Sequence, residues 1–368
     1  MIQVGKPVTG KNFIGRKKEA FEIIQYLKMG QSVVLIAPRR FGKTSLVLEI
    51  LRQLKNEKHY TGFVDVFAHS DLNSLNKTIT AEVLENSGLK KIYQNAKGSI
   101  SSMMQNIKLK AAINEFEVIM GLEDSTINDW DNLSSSIDFI NDFGEKSNHQ
   151  IFFAFDEYGD ILKYDKSGEI IKLMRAKIQQ QKSASYIFSG SYESVMNSLF
   201  VDNKSPFYRM ARIIKLGYLE ENTCIKHMKD TLDSYDISIS IDQIEKLVNI
   251  LKGHPYYCQL AIQQVFLLYK FNKEIPDNED ILNQILQIDS GYLEKTWEVI
   301  STNKEYSFVL KHLSNFSHGL YSESAKMKIN ASRAITYLIG KGIIYKTKST
   351  YDFYDPILKL WIQKNIYS

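Results

Sequence analysis

Over roughly the first 215 residues, apolar positions follow two alternating patterns. Short, nearly unbroken runs at Ser32–Ile36, Phe63–Phe67, Ile151–Phe155, Ser185–Phe188 and Ile213–Leu216 predict strands. Between them, apolar residues recur at every third or fourth position and predict helices. Such alternation predicts an α/β fold, a parallel sheet with helices covering both faces. One connection is longer than a simple crossover. Residues 71–148 read as a largely helical insertion interrupted by Ser/Asn/Asp clusters at 123–136, and no chemistry is legible in it.

From about Glu220 the pattern becomes helical throughout, with predicted helices over Ile225–Leu232, Ile244–Leu251, Tyr256–Phe271 and Ile281–Ile288. Gly253-His254-Pro255 stops one helix and starts the next, with glycine past the C-terminus and proline near N1. The last stretch reads as helices over Phe308–Phe316, Ser322–Lys328 and Ala331–Lys341. A strand Ile343–Tyr345, a polar turn Lys346–Thr350 and a strand Tyr351–Tyr354 follow. Three helices followed by a hairpin is the order of a winged helix-turn-helix. The predicted organisation is therefore 1–218, 219–298 and 299–368.

Composition narrows the class. The chain has 368 residues, enough for two or three domains, and 44% of them are hydrophobic, enough for real cores. A net charge of +4 does not by itself demand nucleic acid. Cys224 and Cys258 form no C-x-x-C pattern, which speaks against a disulfide framework or a zinc site. The N-terminus lacks an apolar signal core, and no apolar run approaches the roughly 18–20 residues that span a bilayer. The expectation is a cytoplasmic protein without a membrane partner.

The chemistry begins where the first predicted strand ends. Ala37-Pro38-Arg39-Arg40-Phe41-Gly42-Lys43-Thr44 has the G-x-x-x-x-G-K-[ST] spacing of a phosphate-binding loop, with alanine at the first glycine position. Gly42 permits backbone angles that turn N–H groups inward around phosphate oxygens. Lys43 supplies a mobile cation for the β- and γ-phosphates, and the Thr44 hydroxyl is a hard ligand suited to Mg²⁺. A helix beginning at Thr44 adds its positive end, and its Leu46, Val47, Ile50, Leu51 and Leu54 share one face.

A phosphate loop needs a carboxylate at the tip of a neighbouring strand, and Ile151–Phe155 runs into Asp156-Glu157. Asp156 would hold Mg²⁺ through water, and Glu157 would orient or deprotonate the attacking water. The alternative is an aspartate that merely caps the next helix. The strand Ser185–Phe188 ends in Ser189-Gly190-Ser191. Ser191, or failing that Ser189, is positioned to sense a γ-phosphate, unless this is an ordinary polar strand end. Arg209 and Arg212 follow Ser205-Pro206-Phe207-Tyr208. Arg209 is the candidate for stabilising transferring phosphoryl charge, with Arg175 a second candidate acting in trans; surface pairing is the alternative for either. Near the start, the Asn12–Glu19 backbone can pack on an adenine ring, although Phe13 and Ile14 equally suit plain core contacts. The Asn-Lys pairs at 76–77, 203–204 and 303–304 lack the aspartate of an Asn-Lys-x-Asp guanine motif, which points to ATP over GTP.

Taken in order, these segments resemble the prokaryotic archaeal-type AAA+ ATPases of the STAND class, signal-transducing P-loop ATPases related to the origin-recognition ATPases. The resemblance rests on Phe13-Ile14-Gly15-Arg16, Ala37–Leu46 including Ser45, Phe155-Asp156-Glu157 and Phe188-Ser189-Gly190-Ser191. It continues through Ser205-Pro206-Phe207-Tyr208-Arg209, Gly253-His254-Pro255 and Asp355–Trp361. It implies an AAA+-like P-loop NTPase sheet, a helical lid and a C-terminal winged helix, with ATP and Mg²⁺ as ligands. It also implies that His254 or Pro255 approaches the phosphates or the base. Ala37 departs from the usual glycine.

Residues 301–368 hold ten Lys/Arg against four Asp/Glu, a local charge of +6. A helix bearing Ser332, Arg333 and Thr336, with a wing bearing Lys346 and Lys348, could straddle double-stranded DNA through phosphate contacts. The competing expectation is a docking unit for a protein partner or a second copy. Two functions follow. One is a Mg²⁺-dependent ATPase that switches conformation to control DNA or a partner. The other is a scaffold that holds ATP without hydrolysing it.

Overall fold

A computed structural model describes residues 2–86, 129–164, 168–316 and 318–366 of the chain. Five parallel strands form one sheet: β1 Val33–Ile36, β2 Tyr60–Asp65, β3 Ile151–Asp156, β4 Ala184–Gly190 and β5 Arg212–Lys215. Their spatial order is β2-β3-β4-β1-β5. Every residue of β1 and β3 is buried, as a sheet covered on both sides requires.

Side-chain alternation divides the strands between two cores. Val34, Ile36, Ile151, Phe153 and Phe155 join one core, beneath the helices Leu72–Glu85, Asp129–Ser147, Glu169–Ile178 and Glu193–Phe200. Val33, Leu35, Phe152 and Ala154 join the other, beneath the helices Lys17–Lys28 and Lys43–Asn56. Because the strands are parallel, the C-terminal ends of β1, β3 and β4 open on the same edge. Ligand sites of open α/β sheets form there.

Most elements differ from their sequence expectation by a few residues at the ends, and two of the differences have a visible cause. The second strand runs Tyr60–Asp65 rather than Phe63–Phe67, because the Asp65 carboxylate accepts from Phe67 N at 3.0 Å and folds Val66–Ala68 into a 3₁₀ turn. Its early residues were obscured because Tyr60 and Thr61 are half-buried on an edge strand and break the apolar run. The helix expected over Ile281–Ile288 spans Asn278–Ser301, started by Asp277, which accepts from Asp280 N at 2.8 Å. Of the insertion expected over 71–148, residues 87–128 lie outside the described residues. Its flanking helices, Leu72–Glu85 and Asp129–Ser147, pack against each other.

The second half of the chain is built on one continuous core reaching from Leu219 to Ile362. It holds the helices Glu221–Asp233, Ile241–Leu251, Pro255–Asn272 and Asn278–Ser301, and the last of these passes through the boundary placed at 298/299. Helices Lys304–Asn315, Leu320–Lys326 and Ala331–Gly340 follow, then the antiparallel hairpin β6 Ile344–Lys346 and β7 Tyr351–Phe353, then Pro356–Ile366. Gly253 makes the turn between two of these helices possible. It has φ +64°, and a Cβ there would lie 2.4 Å from the Leu219 carbonyl oxygen. Among the described residues no helix is long and apolar enough to cross a membrane.

Candidate active site

The loop after β1 is shaped by two left-handed residues, Arg40 at φ +67° and Gly42 at φ +81°, and the helix Lys43–Asn56 starts directly behind them. Ala37 is not among the left-handed residues, so its methyl is accommodated without backbone strain and is buried in the sheet core. Lys43 is buried. Its ammonium donates to Ala37 O at 3.0 Å, Pro38 O at 3.2 Å and Ser191 Oγ at 2.8 Å, using all three of its protons. Burial lowers its pKa, against the pull of Glu157 and Asp156.

The tips of β3 and β4 complete this constellation. Thr44 Oγ1 donates to Asp156 Oδ2 at 2.6 Å, and Ser189 donates to the other oxygen of the same carboxylate. Glu157 holds φ +45°, a strained conformation for a non-glycine residue, and donates its N–H to Asp156 Oδ1 at 3.1 Å. Ser191 donates to Glu157 through its hydroxyl and, at 3.1 Å, through its backbone N–H. Lys43 Nζ lies 4.0 Å from Glu157 Oε1. Asp65, level with Asp156 in the strand register, has its pKa raised by burial and by that neighbouring charge.

These donors suit Mg²⁺. The Thr44 hydroxyl and the Asp156 carboxylate face each other as hard oxygens, and among the described residues no group of three or more His, Cys, Asp or Glu could hold a metal. An ion that keeps several waters and takes substrate phosphates needs few protein ligands.

A cleft of about 470 Å³ opens over this constellation, within the usual range for small-molecule sites. Phe13, Ile14, Arg16, Arg39, Arg40, Phe41, Gly42, Lys43, Thr44, Ser45, Glu157, Ser191 and Pro255 all line it. Gly15 abuts Leu219 behind the wall, and Pro38 lies beneath Lys43 through its carbonyl. Arg16 is buried; its guanidinium reaches Gly217 O, Phe41 O and Glu19. His254 stands behind the cleft wall. Its ring packs 4.7 Å from both Phe41 and Tyr257, and burial pushes its pKa down to about 3, so it is a neutral ring. Arg209 is exposed, with its guanidinium 5.1 Å from its neighbour Tyr208's ring, and is not brought into its own chain's cleft. Arg175 lies on the helix Glu169–Ile178, likewise away from the cleft.

Other residues at the site were not anticipated. The strip Gln3–Val8 forms one wall, tied down by Val8 N donating to Ser45 Oγ at 3.1 Å. Gly10 N donates to Glu49 Oε2 at 2.8 Å. Hydrogen bonds from Arg52, followed by those from Gly10 and Gln53, hold the Glu49 pKa at about 2. A carboxylate next to Ile50 on the apolar side of a helix was the available signal. Tyr256 and Gln259 also line the cleft, and Arg40 pairs with Asp289 at 2.6 Å. Nothing in the local pattern marks these.

A family model described as an ATPase domain predominantly from Archaea matches residues 13–260. Among solved structures, the chain is similar to the Walker-type ATPase PABY2304 of Pyrococcus abyssi, with TM-score 0.72 and 19% identity over 99% of this chain and 100% of that one. It is also similar to the Aeropyrum pernix ORC2 protein in its ADPNP–ADP complexes, with TM-score 0.58 and 12% identity over 98% of both chains. At these identities the likeness is one of fold. A search of curated proteins finds no match.

Proposed function

The chain belongs to the family of ATPase domains found predominantly in Archaea, and from that premise we propose that its ATP hydrolysis drives a conformational switch. It is an ATP-binding ATPase. In this proposal the triphosphate replaces Ala37 O, Pro38 O and Ser191 as the partner of Lys43. Glu157, oriented by Ser191, holds and deprotonates the attacking water, and Ser191 reports the γ-phosphate. Mg²⁺, held by Thr44 and through water by Asp156, would neutralise charge on the β- and γ-phosphates. Arg209, and after it Arg175, are free of their own cleft and suited to the phosphates of a second copy, which makes self-association part of the reading.

The observation that carries the switch is the reverse side of the phosphate loop. Arg40 donates to Asp289 Oδ2 at 2.6 Å, and Tyr257 OH links Asp289 at 3.1 Å to Asp355 at 2.9 Å. Asp355 in turn caps the last helix by accepting from Ile357 N at 2.9 Å and Leu358 N at 3.0 Å. The Phe41 ring lies 5.3 Å from Tyr218 and 6.0 Å from Tyr354, at the end of the hairpin. A loop that tightens on phosphate pulls on both contacts. We read 219–298 as a lid and 299–368 as a winged helix.

The output surface in this reading is the winged helix. Ser332, Arg333, Thr336 and Tyr337 are exposed together on Ala331–Gly340, and Lys346 and Lys348 are exposed on the hairpin, which suits duplex DNA in a cytoplasmic setting. Hydrogen exchange of residues 343–355 tests the switch: ATP is expected to change their protection. Identical exchange with and without ATP, together with no phosphate release in the presence or absence of duplex DNA, would leave the scaffold reading instead.

A further inference from the structure

The cleft wall holds a polar group, the Gln259 amide, that the phosphate chemistry does not use. Pro255 and Gln259 lie one turn apart on the helix Pro255–Asn272, so both face the cleft. Ile14 and Leu219 line the same cleft, and an added Cβ on Gly15 would sit 3.1 Å from Leu219. Apolar side chains beside the Gln259 amide offer the right chemistry for a flat heterocycle whose polar edge must be recognised.

That amide is held in one orientation. Gln259 Nε2 lies 3.2 Å from His227 Nε2, and Thr231 Oγ1 lies 3.4 Å from the same nitrogen. An amide NH₂ can only donate, so His227 Nε2 is the acceptor and the ring carries its proton on Nδ1. Burial lowers the His227 pKa, which favours the neutral ring. With one amide proton engaged by His227, the carbonyl oxygen of Gln259 is left to accept from a ligand in the cleft.

We infer that Gln259, positioned by His227, reads the nucleobase and selects a purine with an exocyclic amine at position 6 over one with a carbonyl there. Adenine donates from that amine to the Gln259 oxygen. Guanine and hypoxanthine set an acceptor against an acceptor. A site built to pair a polar group discriminates well, because the wrong partner leaves both groups desolvated and unpaired. The inference rests on the cleft being the ATP site.

The test is calorimetric titration of the full chain with ATP, GTP and ITP, which differs from ATP in the base chiefly at position 6. Wild type is expected to bind ATP at least about tenfold tighter than ITP, as one discriminating hydrogen bond allows. Gln259→Leu is expected to weaken ATP binding while leaving ITP binding nearly unchanged, collapsing the ratio towards one. His227→Leu, which frees the amide to rotate, is expected to collapse it by strengthening ITP and GTP; thermal melts confirm that both variants fold. Equal binding of ATP and ITP by wild type overturns the inference, as does an equal loss of both in Gln259→Leu. If wild type binds none of the three, the ATP site itself fails, and the inference fails with it.

Discussion

Two neighbouring stretches of one loop do opposite things. Lys43 and Thr44 make their hydrogen bonds within the parallel sheet, to Ala37, Pro38, Ser191 and Asp156. Arg40 and Phe41, three and two positions before Lys43, make contacts with the second half of the chain, at Asp289, His254 and Tyr354. The first set consists of bonds that phosphate and metal can take over. The second set also lines the cleft but ties the loop to the second half of the chain, and in the proposed switch it carries the loop's movement there. In the proposed switch, a loop divided in this way would separate chemistry from communication, so that each half could be disabled without the other.

The sharpest separation comes from the inward half. Glu157→Gln is expected to reduce phosphate release by about 10²-fold or more, as loss of a general base does, while ATP affinity by calorimetry stays within about threefold. Lys43→Ala is expected to weaken ATP binding about 100-fold, the loss of charge-assisted bonds to phosphate, with the fold retained by circular dichroism. Retained wild-type turnover in the first or wild-type affinity in the second would place the chemistry elsewhere.

His254, on the outward side, gives a test that uses pH. Its folded pKa of about 3 lies below the unfolded value near 6.5, so below pH 6.5 the unfolded chain binds the extra proton. Its contribution to stability is therefore complete above pH 6.5 and declines as the pH falls towards 3, by up to about 1.4 kcal/mol per pH unit. Denaturant melts of His254→Phe are expected to lack this part of the acid slope. A slope equal to wild type would mean that the ring is not sealed behind Phe41.

Smaller effects test the communication half. Asp289→Ala is expected to cost about 1–2 kcal/mol in urea melts, less than a fully buried pair would, because the Arg40 side chain is 38% exposed. ATP affinity should hardly change, whereas the ATP-dependent protection of the hairpin should disappear. Tyr218→Phe removes a hydroxyl that donates to Phe353 O at 2.9 Å and to Tyr354 O at 3.1 Å, for about 1 kcal/mol, and should speed proteolysis near the hairpin. If either variant lost turnover as completely as Glu157→Gln, the division of the loop would be wrong.

What could be read in the sequence follows the range of the interactions. The segments Ala37–Thr44 and Asp156-Glu157, which the structure brings together, stand out in the sequence because each is a short local pattern, an apolar run ending in reactive groups. Sequence reasoning preferred Ser191 to Ser189. In the structure both touch the acidic pair, because β4 lies between β1 and β3, and that order is a property of the sheet which no single strand records. The Gln3–Val8 wall is tied down through the backbone N–H of Val8, a contact that no side-chain pattern records. The pairing of Arg40 with Asp289 spans 249 positions and leaves no periodic trace. Arg209 follows a conspicuous Ser-Pro-Phe-Tyr run, yet composition could not say that its guanidinium faces solvent.

The 24-residue helix Asn278–Ser301 holds Asp289 near its middle and leads directly into the Lys304–Asn315 helix. At 1.5 Å per residue it is a rod of about 36 Å, and its end lies about 18 Å from the Arg40 contact. Pivoting such a rod by about ten degrees sweeps its tip through about 3 Å, roughly the rise of two residues. In the proposed switch, leverage of this kind would let a sub-ångström adjustment at the triphosphate become a displacement large enough to bring a basic surface into or out of register with a ligand.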